Sequence, residues 1–320
     1  MRVAVVDLGT NSTRLLVADV EDGSVREVER RLAITRLGEL VDSRRKLLPT
    51  AIARVRNVLG DYRREIEALG AERTLTLATS AVRDADNGEA FLGEIEWSYG
   101  FSTQLLSGEE EARMMFRGVA SGLNGRNVDG TLLVDVGGGS TELVLAGAGG
   151  VEFHTSLDLG CVRLTERFLA GDPPTAEELA ECRAAVRALL EERVPESVHA
   201  TAGIGVAGTV TTLAALDLGL AEEDPELIHG HRLQAAWVEE ELARLAALPE
   251  AELAETPGIH PSRAPVIVAG VVVVAEVLRH FGLAELEVSE RDIMHGGALA
   301  AAELPEPEEG AAPAGAYTCC

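Results

Sequence analysis

The chain has 320 residues, 46% of them apolar and 25% charged, with a formal net charge of −25. That length exceeds one ordinary core and points to two domains of a globular, water-soluble protein. The acidity excludes a nucleic-acid or anionic-membrane surface, since both need a basic face, but it allows a small anion held by arginines, backbone amides and a divalent cation.

The sequence starts directly on a strand-like run, "MRVAVVDLG", with no basic stretch leading into a long apolar one, so no signal peptide is expected. That run ends in a polar turn and re-emerges as a second strand, "STRLLVADV", a hairpin pattern. Residues 26–40 supply a third strand, and the spacing of Ile52, Val55, Val58 and Leu59 predicts a helix over 50–69. A strand ending in a polar loop follows at 74–87, then a strand at 101–106 and a helix from 107. Gly, Asn and Asp cluster in "SGLNGRNVDG" (121–130), which reads as a hinge. Beyond it come hairpins over 131–157, a helix at 175–193, a strand at 203–206 and a turn and helix at 207–219. A helix at 264–281, a strand at 284–288 and a last helix from Asp292 close the second domain. The run "VIVAGVVVVAEVL" (266–278) is too short to span a bilayer and contains Glu276, so it is read as a buried helix. The expected division is 1–124, 125–302 and a disordered tail, 303–320, poor in large apolar residues.

An internal repeat organises the chain. "VDLGTNSTRLLVA" (6–18) lies without gaps on "VDVGGGSTELVLA" (134–146), with Asp7, Gly9, Ser12, Thr13, Leu15 and Ala18 matching Asp135, Gly137, Ser140, Thr141, Leu143 and Ala146. Two similar α/β halves are therefore expected. Glycine-containing turns let several N–H groups converge on one anion, and Ser and Thr hydroxyls add donors. Each turn follows an aspartate, Asp7 or Asp135, which beside a phosphate calls for a cation; the alternative is a plain tight hairpin with an Asp for turn geometry. Facing turns would form a phosphate cleft with acids placed for Mg2+. Arg14 follows the first turn where Glu142 follows the second, an asymmetry suited to phosphate on one side and metal on the other.

"SGEEEAR" (107–113) raises the question of chemistry at three adjacent glutamates. Ser107 and Glu110 fit a capping box, and Glu109 stands four residues before Arg113, so both have structural explanations. Glu111 shares its face with Met114, Met115 and Gly118, where a carboxylate is costly without a compensating role. Holding and deprotonating a water beside a phosphoanhydride is such a role. Arg83 reads either as a ligand to phosphate or as a salt bridge with Asp84 or Asp86, and Arg263 before the apolar helix is ambiguous. "GVAGTVTTL" (205–213), with Gly208 and Thr209, either approaches a nucleotide or packs a helix on a strand. His229 and His231 are read as loop residues, and Cys161, Cys182, Cys319 and Cys320 have no metal-ligand spacing, which suits a reducing cytoplasm.

Seven stretches in this order, "VAVVDLGTNSTRLLVADV", "ATSAVRDADN", "SGEEEARMMFRGV", "LLVDVGGGSTELVL", "LGCVRLTERFL", "GVAGTVTTLAAL" and "SRAPVIVAG", resemble the exopolyphosphatase/guanosine pentaphosphate phosphohydrolase (Ppx/GppA) family in its short two-domain form. The resemblance implies duplicated α/β domains of the actin/Hsp70/sugar-kinase (ribonuclease H-like) type with a cleft between them. It implies that Glu111 is the catalytic glutamate and that Asp135 and Glu142 are the acids associated with Mg2+ and water. Gly9, Thr10, Asn11 and Ser12, and Gly137, Gly138, Gly139, Ser140 and Thr141, match its two phosphate loops. Arg83 matches a phosphate-contacting arginine, and Arg14 and Arg263 match arginines that contact guanosine polyphosphate in some members. "SERDIMHGG" (289–297) departs from the family's usual segment there. A cytoplasmic homodimer acting on inorganic polyphosphate or guanosine pentaphosphate is the implied protein. An ATP-dependent small-molecule kinase of the same superfamily and a guanosine-polyphosphate sensor with little turnover are the rivals. Long polyphosphate would need a basic track, and with Lys46 the only lysine the fold would have to gather it from arginines.

Overall fold

In the computed structural model the described residues are 1–123 and 125–305, and they divide into two compact units. The first comprises Met1–Asn124 and the segment from Ile293; the second is Gly125–Asp292. The tail beyond 305, with Cys319 and Cys320, lies outside the described residues.

The first unit opens with β1 (Arg2–Leu8), β2 (Ser12–Glu21) and β3 (Ser24–Ile34), then α1 (Val41–Arg44) and α2 (Pro49–Leu69). It continues through β4 (Arg73–Ala78), α3 (Ser80–Arg83), α4 (Gly88–Tyr99), β5 (Ser102–Leu105) and α5 (Gly108–Ala120). Its sheet has the order β3-β2-β1-β4-β5, antiparallel among the first three strands and parallel from β1 onward. Strand alternation divides the core between two faces. Ala4, Val6 and Leu8 pack with Val55, Leu59 and Ile66 of α2 and Phe91 and Ile95 of α4. Val3 and Val5 face the other side, with Leu77, Leu106 and Met114. α2 begins on Pro49, which needs no N–H at a first turn, and ends at Gly70 with φ 71°.

The second unit contains β6 (Thr131–Val136), β7 (Thr141–Gly147), β8 (Gly150–Leu157), α6 (Cys161–Phe168), α7 (Ala176–Arg193), β9 (Ala202–Val206) and α8 (Ala207–Asp217). After these come α9 (Pro225–Ile228), β10 (Arg232–Gln234), α10 (Ala235–Ala246), α11 (Glu250–Glu255), α12 (Ile267–Phe281) and β11 (Glu285–Val288). The sheet order is β10-β11-β9-β6-β7-β8. Strands β8-β7-β6-β9-β11 thus repeat β3-β2-β1-β4-β5, and the duplication read from two turns extends to whole sheets. The register even shifts at matching places, between Val17 and Ala18 in β2 and between Leu145 and Ala146 in β7.

Two features differ from the sequence reading. Helices α1, α4, α6, α9, α10 and α11 and strand β10 were not expected, although Phe91, Leu92 and Ile95 carry helical spacing. The last helix, α13 (Ile293–Glu303), does not close the second domain; Ile293, Met294, Ala298 and Ala301 bury against Val5, Leu16 and Leu77 of the first sheet. Glycines permit that approach: a Cβ on Gly296 would lie 1.9 Å from the Met114 carbonyl oxygen of α5, and one on Gly297 would lie 2.9 Å from Val5. The second domain therefore ends at 292 rather than 302, because this apolar helix finds its uncovered sheet face in the first unit.

Candidate active site

In the first unit the cross-strand register sets Asp7 opposite Arg14. Arg14 donates to Asp7 Oδ2 from Nε at 2.9 Å and lies 2.8 Å from it through Nη2. The buried aspartate is thus neutralised by a cation of the protein, and this accounts for Asp7 without a metal. The turn between the strands closes with the Gly9 N–H on the Ser12 carbonyl at 3.0 Å. The Thr10 carbonyl accepts from Gly38, and the Asn11 carbonyl from Thr35 and Arg36, at 2.9–3.1 Å. In a trans peptide the next N–H points opposite to the carbonyl, so the Asn11 and Ser12 N–H groups face away from segment 35–38. The Thr10 hydroxyl is turned inward, 3.0 Å from Ser80 Oγ, so what this residue offers an anion is backbone.

α5 starts as the sequence foretold. Ser107 and Glu110 form the capping box, and Arg113 donates to Glu109. The cap bonds, first the Ser107 N–H, hold Glu110 below the usual carboxylate range. Glu111 faces inward at 5% exposure, among Ala112, Met114 and Met115. Its carboxylate is met by Arg83, the last residue of α3, whose Nη1 donates to Glu111 Oε2 at 2.7 Å and to the Leu106 carbonyl at 2.7 Å. Sequence had offered Asp84 or Asp86 as the ion-pair alternative for Arg83. The structure brings it to Glu111, a contact across 28 residues that local spacing does not reveal.

The second unit builds the matching turn with different charges. Asp135 stands opposite Glu142 in the register, a carboxylate facing a carboxylate where the first unit has an ion pair. Ser156 Oγ donates to Glu142 Oε1 at 2.8 Å. The turn closes on the same bond, Gly137 N–H to the Ser140 carbonyl at 3.0 Å. Here the start of α6 braces the loop: Cys161 donates to the Gly137 carbonyl at 2.9 Å, and Val162 and Arg163 to that of Gly138 at 2.9 and 3.2 Å. Arg163 Nε adds a bond to the Gly139 carbonyl at 2.8 Å. With three successive carbonyls turned to α6, the N–H groups of Gly138, Gly139 and Ser140 fan out on the opposite side, and none meets an acceptor among the described residues. Such a fan is an anion-binding concavity. Gly160 makes it possible, since a Cβ there would sit 2.2 Å from the Gly138 carbonyl. Thr141 is fully buried and donates its hydroxyl to Leu159 at 2.5 Å, a brace for the loop rather than a ligand group. Sequence reasoning missed Gly160, Cys161 and Arg163; the signal was a glycine ahead of Cys161, Leu164 and Phe168 at helical spacing.

In this unit β9 also passes directly into α8. Ala207 holds φ 66°, a left-handed conformation that costs about 1 kcal/mol or more for a residue with a side chain. A Cβ on Gly208 would lie 1.4 Å from Arg263 Nη1, so the guanidinium rests on the α8 N-terminus. Arg263 is partly exposed, and its side chain has no hydrogen-bond or ion-pair partner among the described residues. Thr209 packs against Gly270 of α12, where a Cβ would fall 2.5 Å from its hydroxyl oxygen, and so is a packing residue. Burial pushes the Cys161 thiol up to about 11, with Arg263 opposing. His229 and His231 lie outside any helix, and His231 Nε2 is 2.7 Å from Asp217.

No group of three His, Cys, Asp or Glu able to hold a metal occurs among the described residues. Mg2+ does not need one, because it binds through one or two carboxylates, waters and substrate phosphates. The Asp135–Glu142 pair fits that requirement.

Glycine loops that present N–H fans, a buried glutamate on an arginine and a carboxylate pair in a duplicated α/β fold define a phosphoryl-handling protein. The chain matches the Ppx/GppA phosphatase family over residues 16–302 and belongs to it. It is 41% identical over 317 residues to exopolyphosphatase 2 of Mycobacterium tuberculosis, covering 94% of this chain and 98% of that one. Among solved structures, a family member from Aquifex aeolicus superposes with a TM-score of 0.79 at 32% identity, covering 95% and 97% of the two chains. An exopolyphosphatase-like protein gives 0.87 at 35%, covering 93% and 98%. No helix among the described residues is long and apolar enough to cross a membrane.

Proposed function

We propose that the protein is a phosphohydrolase that releases the terminal phosphate of inorganic polyphosphate, with Glu111 directing the attacking water. The observation that carries this reading is the inward carboxylate of Glu111 on Arg83 at the start of α5. A base must be held in place, and the capping box and Arg83 hold this one. Arg83 is also a forked phosphate donor. A terminal phosphate competing for its guanidinium would leave a Glu111 oxygen to accept from water, so substrate arrival and base release are one exchange of partners. The N–H groups of Gly138, Gly139 and Ser140 would neutralise oxygens on the phosphoryl group as charge builds up there. Asp135 and Glu142 would hold Mg2+, which offsets phosphate charge when bound. The name of the mycobacterial relative favours polyphosphate as substrate, while Arg263, resting on the N-terminus of α8, keeps guanosine pentaphosphate in view as a second one.

The test measures free phosphate from polyphosphate, guanosine pentaphosphate and ATP in parallel, with Mg2+ and with EDTA. Mg2+-dependent release from polyphosphate without any acceptor is expected. Turnover of ATP only when a hydroxyl acceptor is added would indicate a kinase, and tight guanosine-polyphosphate binding with no release would indicate a sensor.

A further inference from the structure

Most arginines of this acidic chain are engaged by an acid: Arg2 by Asp19, Arg31 by Glu65, Arg56 by Glu94, Arg126 by Glu287 and Arg244 by Glu241 among them. One surface stretch is different. Arg36, Arg44, Arg45 and Lys46 are all exposed, and none of their side chains has an ion-pair or hydrogen-bond partner among the described residues. The stretch also holds Glu39 and Asp42, of which Glu39 is taken by Arg54 at 2.8 Å.

Backbone bonds lace this stretch to the site. The Arg36 and Gly38 N–H groups hold the carbonyls of Asn11 and Thr10 in the first turn. At its other end the Arg45 carbonyl accepts from Asp86 at 2.7 Å, and Asn87 bonds both polar groups of the Leu47 backbone, just past the helix that carries Arg83. The stretch is also conformationally costly. Arg36, Leu40 and Arg45 have φ of 46°, 58° and 54°. Left-handed non-glycine residues cost of order 1–3 kcal/mol each and persist where the surroundings hold them, most often at ligand clamps and functional sites.

We propose that Arg36, Arg44, Arg45 and Lys46 form a landing track for the chain of a linear inorganic polyphosphate, beyond the terminal unit handled at Glu111. The proposal rests on the phosphohydrolase reading and adds what it lacks, a place where an acidic protein receives a long polyanion. Uncommitted cations on a contiguous surface release counterions when a polyanion binds, so the contact is strong at low salt and weakens as salt rises. A triphosphate carries too few phosphates to meet both the site and several of these cations, so the effect belongs to long chains.

The experiment compares the intact protein with the triple variant Arg44→Gln, Arg45→Asn, Lys46→Gln; Asn tolerates the left-handed backbone at 45. A control, Arg26→Gln, Arg64→Gln, Arg193→Gln, removes three exposed, acid-paired cations elsewhere. Binding of labelled polyphosphate of about a hundred units should weaken roughly tenfold in the first variant, with a salt slope lower by about 2 to 3, and hold in the control. Phosphate release from tripolyphosphate should be alike in all three proteins. Equal loss in both variants, or none in the first, overturns the track. Absence of phosphate release from every substrate by the unaltered protein overturns the phosphohydrolase reading instead, and is read separately from binding.

Discussion

The two hairpins, Asp7 to Arg14 and Asp135 to Glu142, differ at one decisive place. Both close on a glycine N–H to a serine carbonyl at 3.0 Å, and both turn loop carbonyls onto a bracing segment. In the first the residue facing the aspartate is arginine; in the second it is glutamate. Opposed charges across a strand pair stabilise a sheet, and like charges directly opposite destabilise it. The first hairpin is therefore complete as a piece of structure. The second keeps a local cost, and a divalent cation would turn that cost into binding energy. Duplication supplied the frame, and the two copies differ in charge at one register position.

The largest expected effect concerns Glu111, which neither hairpin contains. Glu111→Gln keeps the shape and an acceptor for Arg83 but cannot take a proton, so kcat for phosphate release should fall about 10²–10⁴-fold while the protein still folds cooperatively. Near-normal turnover would falsify the assignment. Next, Glu142→Arg converts the second hairpin into a copy of the first. Mg2+-dependent release should fall by about a hundredfold or more, because a carboxylate is lost and a cation is put in its place. In EDTA the variant should be more stable by roughly 0.5–1 kcal/mol, since a like-charge pair becomes an opposite one. A variant that is both inactive and less stable in EDTA would mean that Glu142 is structural in its own right.

Arg14→Met works in the opposite direction. It leaves Asp7 buried without the guanidinium that lies against it, and should lower stability by about 3 kcal/mol in denaturant unfolding. Added Mg2+ should not restore it if Asp7 has no metal role.

Much of this contrast was legible in the sequence, and the reasons are local. The repeat gave strand, turn and strand and showed the opposite signs of Arg14 and Glu142; that Arg14 lies on Asp7 was not read from it, because that depends on the cross-strand register. The capping box and the Glu109–Arg113 pair followed from helical spacing, as did the inward face of Glu111. What could not be read depends on contacts far apart in the chain. "IMHGGALAAAE" is apolar enough to be buried on any sheet, and only its two glycines against Met114 and Val5 decide which. The Thr10 and Thr141 hydroxyls look like phosphate donors until Ser80 and the Leu159 carbonyl are seen to occupy them. The Arg36 to Lys46 track is invisible in a charge count, because only the structure shows which cations the acids leave over.

Glu276 extends the comparison to a third carboxylate, fully buried in α12 and bonded by Arg183, Arg187 and Arg279 at 2.6–3.0 Å. Burial pushes its pKa up, but the three guanidiniums outweigh burial and hold it at about 2, below the ordinary 4.5. The folded-state value is depressed, so this stability is full above the ordinary value and is lost as pH falls toward about 2. At most about 3 kcal/mol should go in that window, and Glu276→Gln should flatten it. Like Asp7, this acid is neutralised by arginine and should be indifferent to Mg2+.

The smallest effect separates holding a helix from aiming its base. Ser107→Ala removes the cap acceptor for Glu110 and should cost about 1 kcal/mol in unfolding experiments. Glu111 is also anchored through Arg83, itself fixed to the Leu106 carbonyl on the far side of the cap. With that second anchor intact, kcat should stay within about threefold of the unaltered protein, a change below 1 kcal/mol. A fall approaching that of Glu111→Gln would place the cap, rather than Arg83, in charge of where the carboxylate points, and the exchange of Arg83 from Glu111 to phosphate would then lose its mechanical basis.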